Sequence, residues 1–169
     1  MGCDIHMYTE KKVDTIDGHY AWFCCDSFMY DEAYLCGYKQ KNNLVHVPIY
    51  SARNYGLFGI LANVRNNEYE PVVAPRGLPN DVSDVIKEAA IDWGNDGHTH
   101  TWLTANEVFQ YYKKNKNNEH VKCCMKPLVK AIKKKMCNEY RIYTNDKEIK
   151  KNELKKHGDD FRIVFWFDN

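Results

Sequence analysis

The chain has 169 residues, 44% of them hydrophobic and 28% charged, with a formal net charge of +1, so it has the size and mix of one globular domain of roughly 100 to 200 residues. That balance excludes a disordered tail, a collagen-like chain and a low-complexity chain. No apolar run approaches the roughly 18 residues of a membrane helix, and the first six residues lack the basic and apolar regions of a signal peptide, with His6 where a myristoylation signal wants Ser or Thr; the reading is a soluble, cytoplasmic protein with no membrane partner.

Residues 3–9 read as a strand, with Cys3, Ile5 and Met7 on one face and Asp4, His6 and Tyr8 on the other, the period of two of a half-buried sheet. Asp17-Gly18 is a turn signal and residues 19–24 form an aromatic-rich second strand, giving an N-terminal hairpin. Residues 26–43 show no period and predict a loop with a short helix. Residues 45–49 predict a short strand that Pro48 limits to an edge or a strand end.

Leu57, Phe58, Ile60, Leu61 and Val64 recur at helical spacing, so residues 54–64 predict a helix ended by Asn66-Asn67. After a Pro-rich crossing loop, the stripe Val82, Val85, Ile86, Ala89 and Trp93 predicts another helix, closed by Gly94. Thr104 and Glu107 fit a capping box, so a helix starts at Ala105 and residues 97–101 form the loop or short strand entering its anion-favouring N-terminus. The positions from Val121 to Met136 are helical again, with Pro127 as a kink or a fresh start. Residues 139–143 predict a strand, and residues 161–167 (FRIVFWF) a central strand buried on both faces. The fold class is α+β: a single domain over 1–169 with a mainly antiparallel sheet, built from the N-terminal hairpin and the C-terminal strand, packed with several helices.

Seven cysteines without a Cys-x-x-Cys spacing argue for buried thiols rather than disulfides or the common structural zinc sites. Cys3 acts as a nucleophile only beside a base, and as an inward strand position it reads first as core. Charge is unevenly placed: residues 113–156, a Lys-rich helical segment of the same domain, carry 15 basic and 5 acidic residues, net +10, against −9 for the remainder. This segment is either a patch for nucleic acid or another polyanion, or a solvated helix face.

The sharpest constellation is Asp4-x-His6 with His98-x-His100, and Asp96 just upstream. Imidazoles and carboxylates in this mix suit Zn, Mn or Fe. The expectation is a divalent metal held by Asp4, His6, His98, His100 and Asp96, with His98 and His100 also catalytic; the bland alternative is that these side chains hydrogen-bond one another and the backbone. Arg53, near the start of a helix, is the best of three arginines for an anion, with Asn54, Tyr8 and Trp102 as further substrate contacts.

Asp4-Ile5-His6 and Gly97-His98-Thr99-His100 are similar in form to the DxH and GHxH motifs of calcineurin-like metallophosphoesterases, although the intervening GDxxD and GNH[DE] blocks are absent; only the chemical analogy is kept. Five blocks together resemble an uncharacterised family of bacteriophage and related viral proteins: MGCDIH at 1–6, SARNYGLFGILANVRN at 51–66, RGLP at 76–79, WGNDGHTHTWLT at 93–104 and RIVFWFDN at 162–169. The resemblance implies a phage or viral setting, hence host cytoplasm, and no assigned activity. The leading expectation is a metal-dependent phosphoester hydrolase acting on a nucleotide or nucleic acid; the alternative is a non-catalytic, anti-defence protein that binds a nucleotide signal or a host factor. The sequence leaves the oligomeric state open.

Overall fold

A computed structural model describes residues 2–37, 44–66 and 69–168. Strands β1 (Ile5–Asp14), β2 (Tyr20–Cys24), β5 (His98–Thr104) and β6 (Phe161–Phe167) form a four-stranded antiparallel sheet in the order β2-β1-β6-β5. A separate ribbon pairs β3 (Ser27–Tyr30) with β4 (Leu44–Val47). Between them lie α1 (Glu32–Leu35), α2 (Tyr55–Ala62), α3 (Asp84–Trp93), α4 (Ala105–Lys114), α5 (Glu119–Glu139) and α6 (Lys147–Lys156). The α+β, mainly antiparallel reading holds, and β6 sits at its centre with all seven residues buried.

β6 is apolar on both faces because each face meets its own core. Ile163, Phe165 and Phe167 join Ile5, Met7 and Leu103 against α2, α4 and α5. Val164 and Trp166 join Tyr8 against Ile86 and Ala90 of α3, with Trp93 and Trp102 at the margin. The one basic side chain of the strand, Arg162, is buried and lies on this second face. It donates through Nε to Glu10 (2.6 Å) and through Nη1 to Asp81 (2.8 Å), and stacks over Trp22 at 3.9 Å. Glu10 in turn accepts the backbone N–H of Ser83, the N-cap of α3, so the ion pair ties the sheet to the start of the covering helix.

The hairpin of β1 and β2, the edge strand before Pro48 and the start of α4 follow the sequence expectation. Residues 38–43 of the unpatterned stretch lie outside the described residues. α2 ends sooner than Asn66, because Asn63 takes a left-handed conformation (φ 60°) and its N–H caps the helix. α5 runs through Pro127 without a break; Pro127 and Cys123 are both exposed, so the carbonyl deprived of its helical donor faces water. Residues 139–143 are not a strand. Glu139 closes α5, held by Lys135 one turn back (3.1 Å) and Lys11 (2.8 Å), and Arg141 turns left-handed (φ 53°).

Candidate functional site

The end of the sheet where β1 begins and β6 finishes carries the polar cluster. Asp4 and Asp168 clasp each other's backbones: the Asp4 N–H donates to Asp168 Oδ1 (2.8 Å), and the Asp168 N–H to the Asp4 carbonyl (3.2 Å). Asp168 Oδ2 lies 3.1 Å from His6 Nε2, in hydrogen-bond contact. A carboxylate in that position fixes the orientation of the ring. Asp4 turns outward to Arg53, which grips it at both ends, Nε to Oδ1 at 2.7 Å and Nη2 to Oδ2 at 2.5 Å. That fork holds the Asp4 carboxyl below its usual range.

The register of the sheet sorts the histidines. Across β6, His6 is opposite Trp166. On the other side His98 is opposite Phe167 and Thr101 opposite Phe165, so two residues, Thr99 and His100, face the single position Trp166. This is a β-bulge, made by Thr99 at φ 55°. Alternation in β6 sends Trp166 and Phe167 to opposite faces, and the bulge sends the histidines with them. His98 lies over Phe167 (6.2 Å between ring centres) and His100 stacks on Trp166 (5.5 Å, 25°). A strand without the bulge points residues i and i+2 the same way, which would bring His98 and His100 together as a shared metal requires; the bulge parts them.

His6 and His100 instead share a face, one on each side of Trp166. His6 is 6.0 Å from the indole and lies against Trp93 of α3 at 3.9 Å, tilted by 38°. Gly97 passes close to Trp93, Trp166 and His100: a Cβ there would lie 3.0 Å from Trp93, 3.3 Å from Trp166 and 3.6 Å from His100, so only glycine lets the backbone lie this close to the indole. Burial, and then the charge of neighbouring His98, push the His100 pKa down. Trp166 Nε1 and His98 Nε2 are buried without a hydrogen-bond partner among the described residues.

The remaining expected site residues are engaged elsewhere. Asn54 caps α2 by accepting the Leu57 N–H at 3.0 Å. Tyr8 is buried, sandwiched between His46 (3.8 Å, 6°) and Trp166 (5.3 Å), and burial raises its hydroxyl to about 12. Trp102 lies further along the same face, under the guanidinium groups of Arg76 (4.7 Å) and Arg162 (5.6 Å). Asp96 is exposed on a 3-10 turn after α3. The N-terminal N–H groups of α4 are not open to an anion, since Thr104 and Glu107 cap them and Glu107 also pairs with Arg76. Among the described residues no group of three or more His, Cys, Asp and Glu side chains is placed to hold a metal ion.

Three contributors went unnoticed in the sequence. Asp168, Trp93 and Trp166 lie in otherwise conspicuous blocks, but nothing in their spacing marks them as neighbours of His6. A second carboxylate–imidazole pair, Asp26 with His46 at 2.7 Å, was also missed; Thr9 donates to Asp26 from its backbone and its hydroxyl, and His46 covers Tyr8.

No protein-family model, no curated protein and no solved structure matches the chain. Among the described residues no helix is long and apolar enough to cross a membrane.

Proposed function

We propose that the protein is a phosphoester hydrolase of the nucleotide or nucleic-acid class whose chemistry is carried by an imidazole pair rather than by a clustered metal. The observation that carries this reading is the placement of His6 and His100 on either side of Trp166 on one sheet face, with His6 braced by Asp168. The two imidazoles sit in different surroundings, one against a carboxylate and one against an indole. His100, its pKa lowered by burial, is the neutral ring and takes a proton from water; the resulting hydroxide-like oxygen attacks phosphorus. The P–O bond to the leaving group breaks as a proton passes from Nδ1 of His6, whose Nε2 is held by Asp168, to the departing oxygen. Exchange with solvent then resets both rings. Arg53, half-exposed, is forked onto Asp4, and a phosphate would have to share that guanidinium with the carboxylate. The sequence resemblance supports a phage or viral protein working in host cytoplasm.

The test is hydrolysis of a generic phosphodiester and of nucleotides by protein stripped with a chelator, with elemental analysis of the same sample. Turnover in the metal-free protein that falls by about 100-fold or more in His6→Ala supports the proposal, since general acid–base groups contribute factors of roughly 100 to 10,000. Turnover that depends on restored Zn, Mn or Fe would return the metal mechanism. The unpaired Nε1 of buried Trp166 favours a second reading, because an acceptor from outside the chain would satisfy it: an anti-defence protein holding a nucleotide signal or host factor without turnover. Ligand recovered unchanged from denatured protein would establish that one.

A further inference from the structure

Far from the histidines, a cavity of about 810 Å³ lies between α5 and the segment that leads into α6. From α5, Lys126, Lys130, Lys133 and Lys134 border it, at the spacings that place residues on one helix face. Lys150 borders it from α6. Buried Val129 and Ile142 contribute an apolar part of the wall, and Tyr143, 79% exposed, stands at its edge. No Asp or Glu lines the cavity.

Within α5, the lysines without a carboxylate partner are those that border this cavity. On the same α5, Lys122 pairs with Glu119 (2.8 Å) and Lys135 with Glu139 (3.1 Å), whereas none of the five cavity lysines has a carboxylate partner among the described residues. The α5 lysines of the cavity are exposed, as on a solvated face, but they border a concavity and not a convex surface. Here two elements bring theirs to one concavity, where they repel one another until an anion enters. The lysines are compact point charges without the planar fork that reads bases or carboxylates, so they suit phosphate groups. The volume is that of a small-molecule pocket, within about 300 to 1,000 Å³, and the exposed Tyr143 ring offers a platform for a base.

We propose that this cavity is a second ligand site, for a nucleoside polyphosphate, with the lysines on the phosphates and Tyr143 against the base. It shares no residue with the His6–His100 face and does not depend on that face being catalytic.

The experiment is calorimetric titration of the full chain with ATP, with inorganic tripolyphosphate and with a single-stranded oligonucleotide. One double variant, Lys130→Gln with Lys134→Gln, removes cavity charges; a second, Lys122→Gln with Lys155→Gln, removes the same net charge outside the cavity. ATP and tripolyphosphate are each expected to fill the cavity with one equivalent in the wild type. The first variant weakens both by about tenfold or more, the size of one lost charge-assisted contact, and the second leaves them nearly unchanged. Tyr143→Ala weakens ATP alone. His6→Ala leaves unchanged the binding that the first double variant removes, whatever it does to turnover, which separates the cavity from the hydrolase reading. Equal losses in the two double variants would mean that affinity follows net charge and would overturn the site. Oligonucleotide binding that strengthens with length and resists displacement by ATP would overturn the choice of ligand in favour of nucleic acid. An effect of Tyr143→Ala equal for ATP and tripolyphosphate would overturn the placement of the base.

Discussion

At the residue scale, what a histidine does here is set by its neighbours. His6 sits against a carboxylate, His98 against a phenyl ring and His100 against an indole. For His100 the consequence reaches stability. Its folded pKa lies below the ordinary imidazole value of about 6.5, so between the two values the unfolded chain binds the extra proton and stability rises with pH. Above 6.5 the group is neutral in both states and contributes no slope; below the lowered value it is charged in both, and the penalty stays constant. His100→Asn therefore flattens the urea-unfolding stability profile on the acid side of 6.5, within that window, and leaves the neutral range unaffected in slope. A profile as steep in the variant as in the wild type would show that burial does not depress this imidazole.

At the element scale, β6 explains why the fold was largely legible and the site only partly so. A run of Phe, Ile, Val, Phe, Trp and Phe can only be a strand buried on both faces, and the alternation in β1 already assigns Ile5 and Met7 to one core and Tyr8 to the other. Local signals also gave the capping box of α4 and the Asn54–Ala62 stretch, because caps and helical periodicity are written within a few residues. The bulge at Thr99 was not legible. Threonine gives no local sign of a left-handed backbone, yet that one residue reverses the relation of His98 to His100. The strand expected at 139–143 failed for a related reason: ion pairs of Glu139 with Lys135 and Lys11 extend α5, and Lys11 is distant in sequence. The buried Arg162–Glu10 pair is a tertiary device of the same kind. Arg162→Met leaves Glu10 buried without its partner and is expected to cost about 3 to 5 kcal/mol, while adding Glu10→Leu recovers most of that loss. Denaturant midpoints of the single and double variants check this; a double variant no more stable than the single would mean that the pair is needed for more than charge compensation.

At the scale of the whole molecule, the sheet separates two kinds of surface. One face and its end gather imidazoles, indoles and the Asp4–Arg53 and Asp168–His6 pairs, while α5, packed on the other face, turns unpaired lysines outward around a cavity. The formal charge of +1 conceals this division between an acidic remainder and a basic segment of +10. On the proposed hydrolase reading, catalysis belongs to the face of Trp166, which His100 shares and His98 does not. The direct measurement is the phosphodiesterase rate of His98→Ala beside that of His100→Ala, both checked for folding by circular dichroism. The geometry predicts that His100→Ala loses about 100-fold or more, whereas His98→Ala, whose ring lies over Phe167, keeps most of the wild-type rate. Equal losses in the two variants, or a larger loss in His98→Ala, would contradict the division that the bulge makes between them.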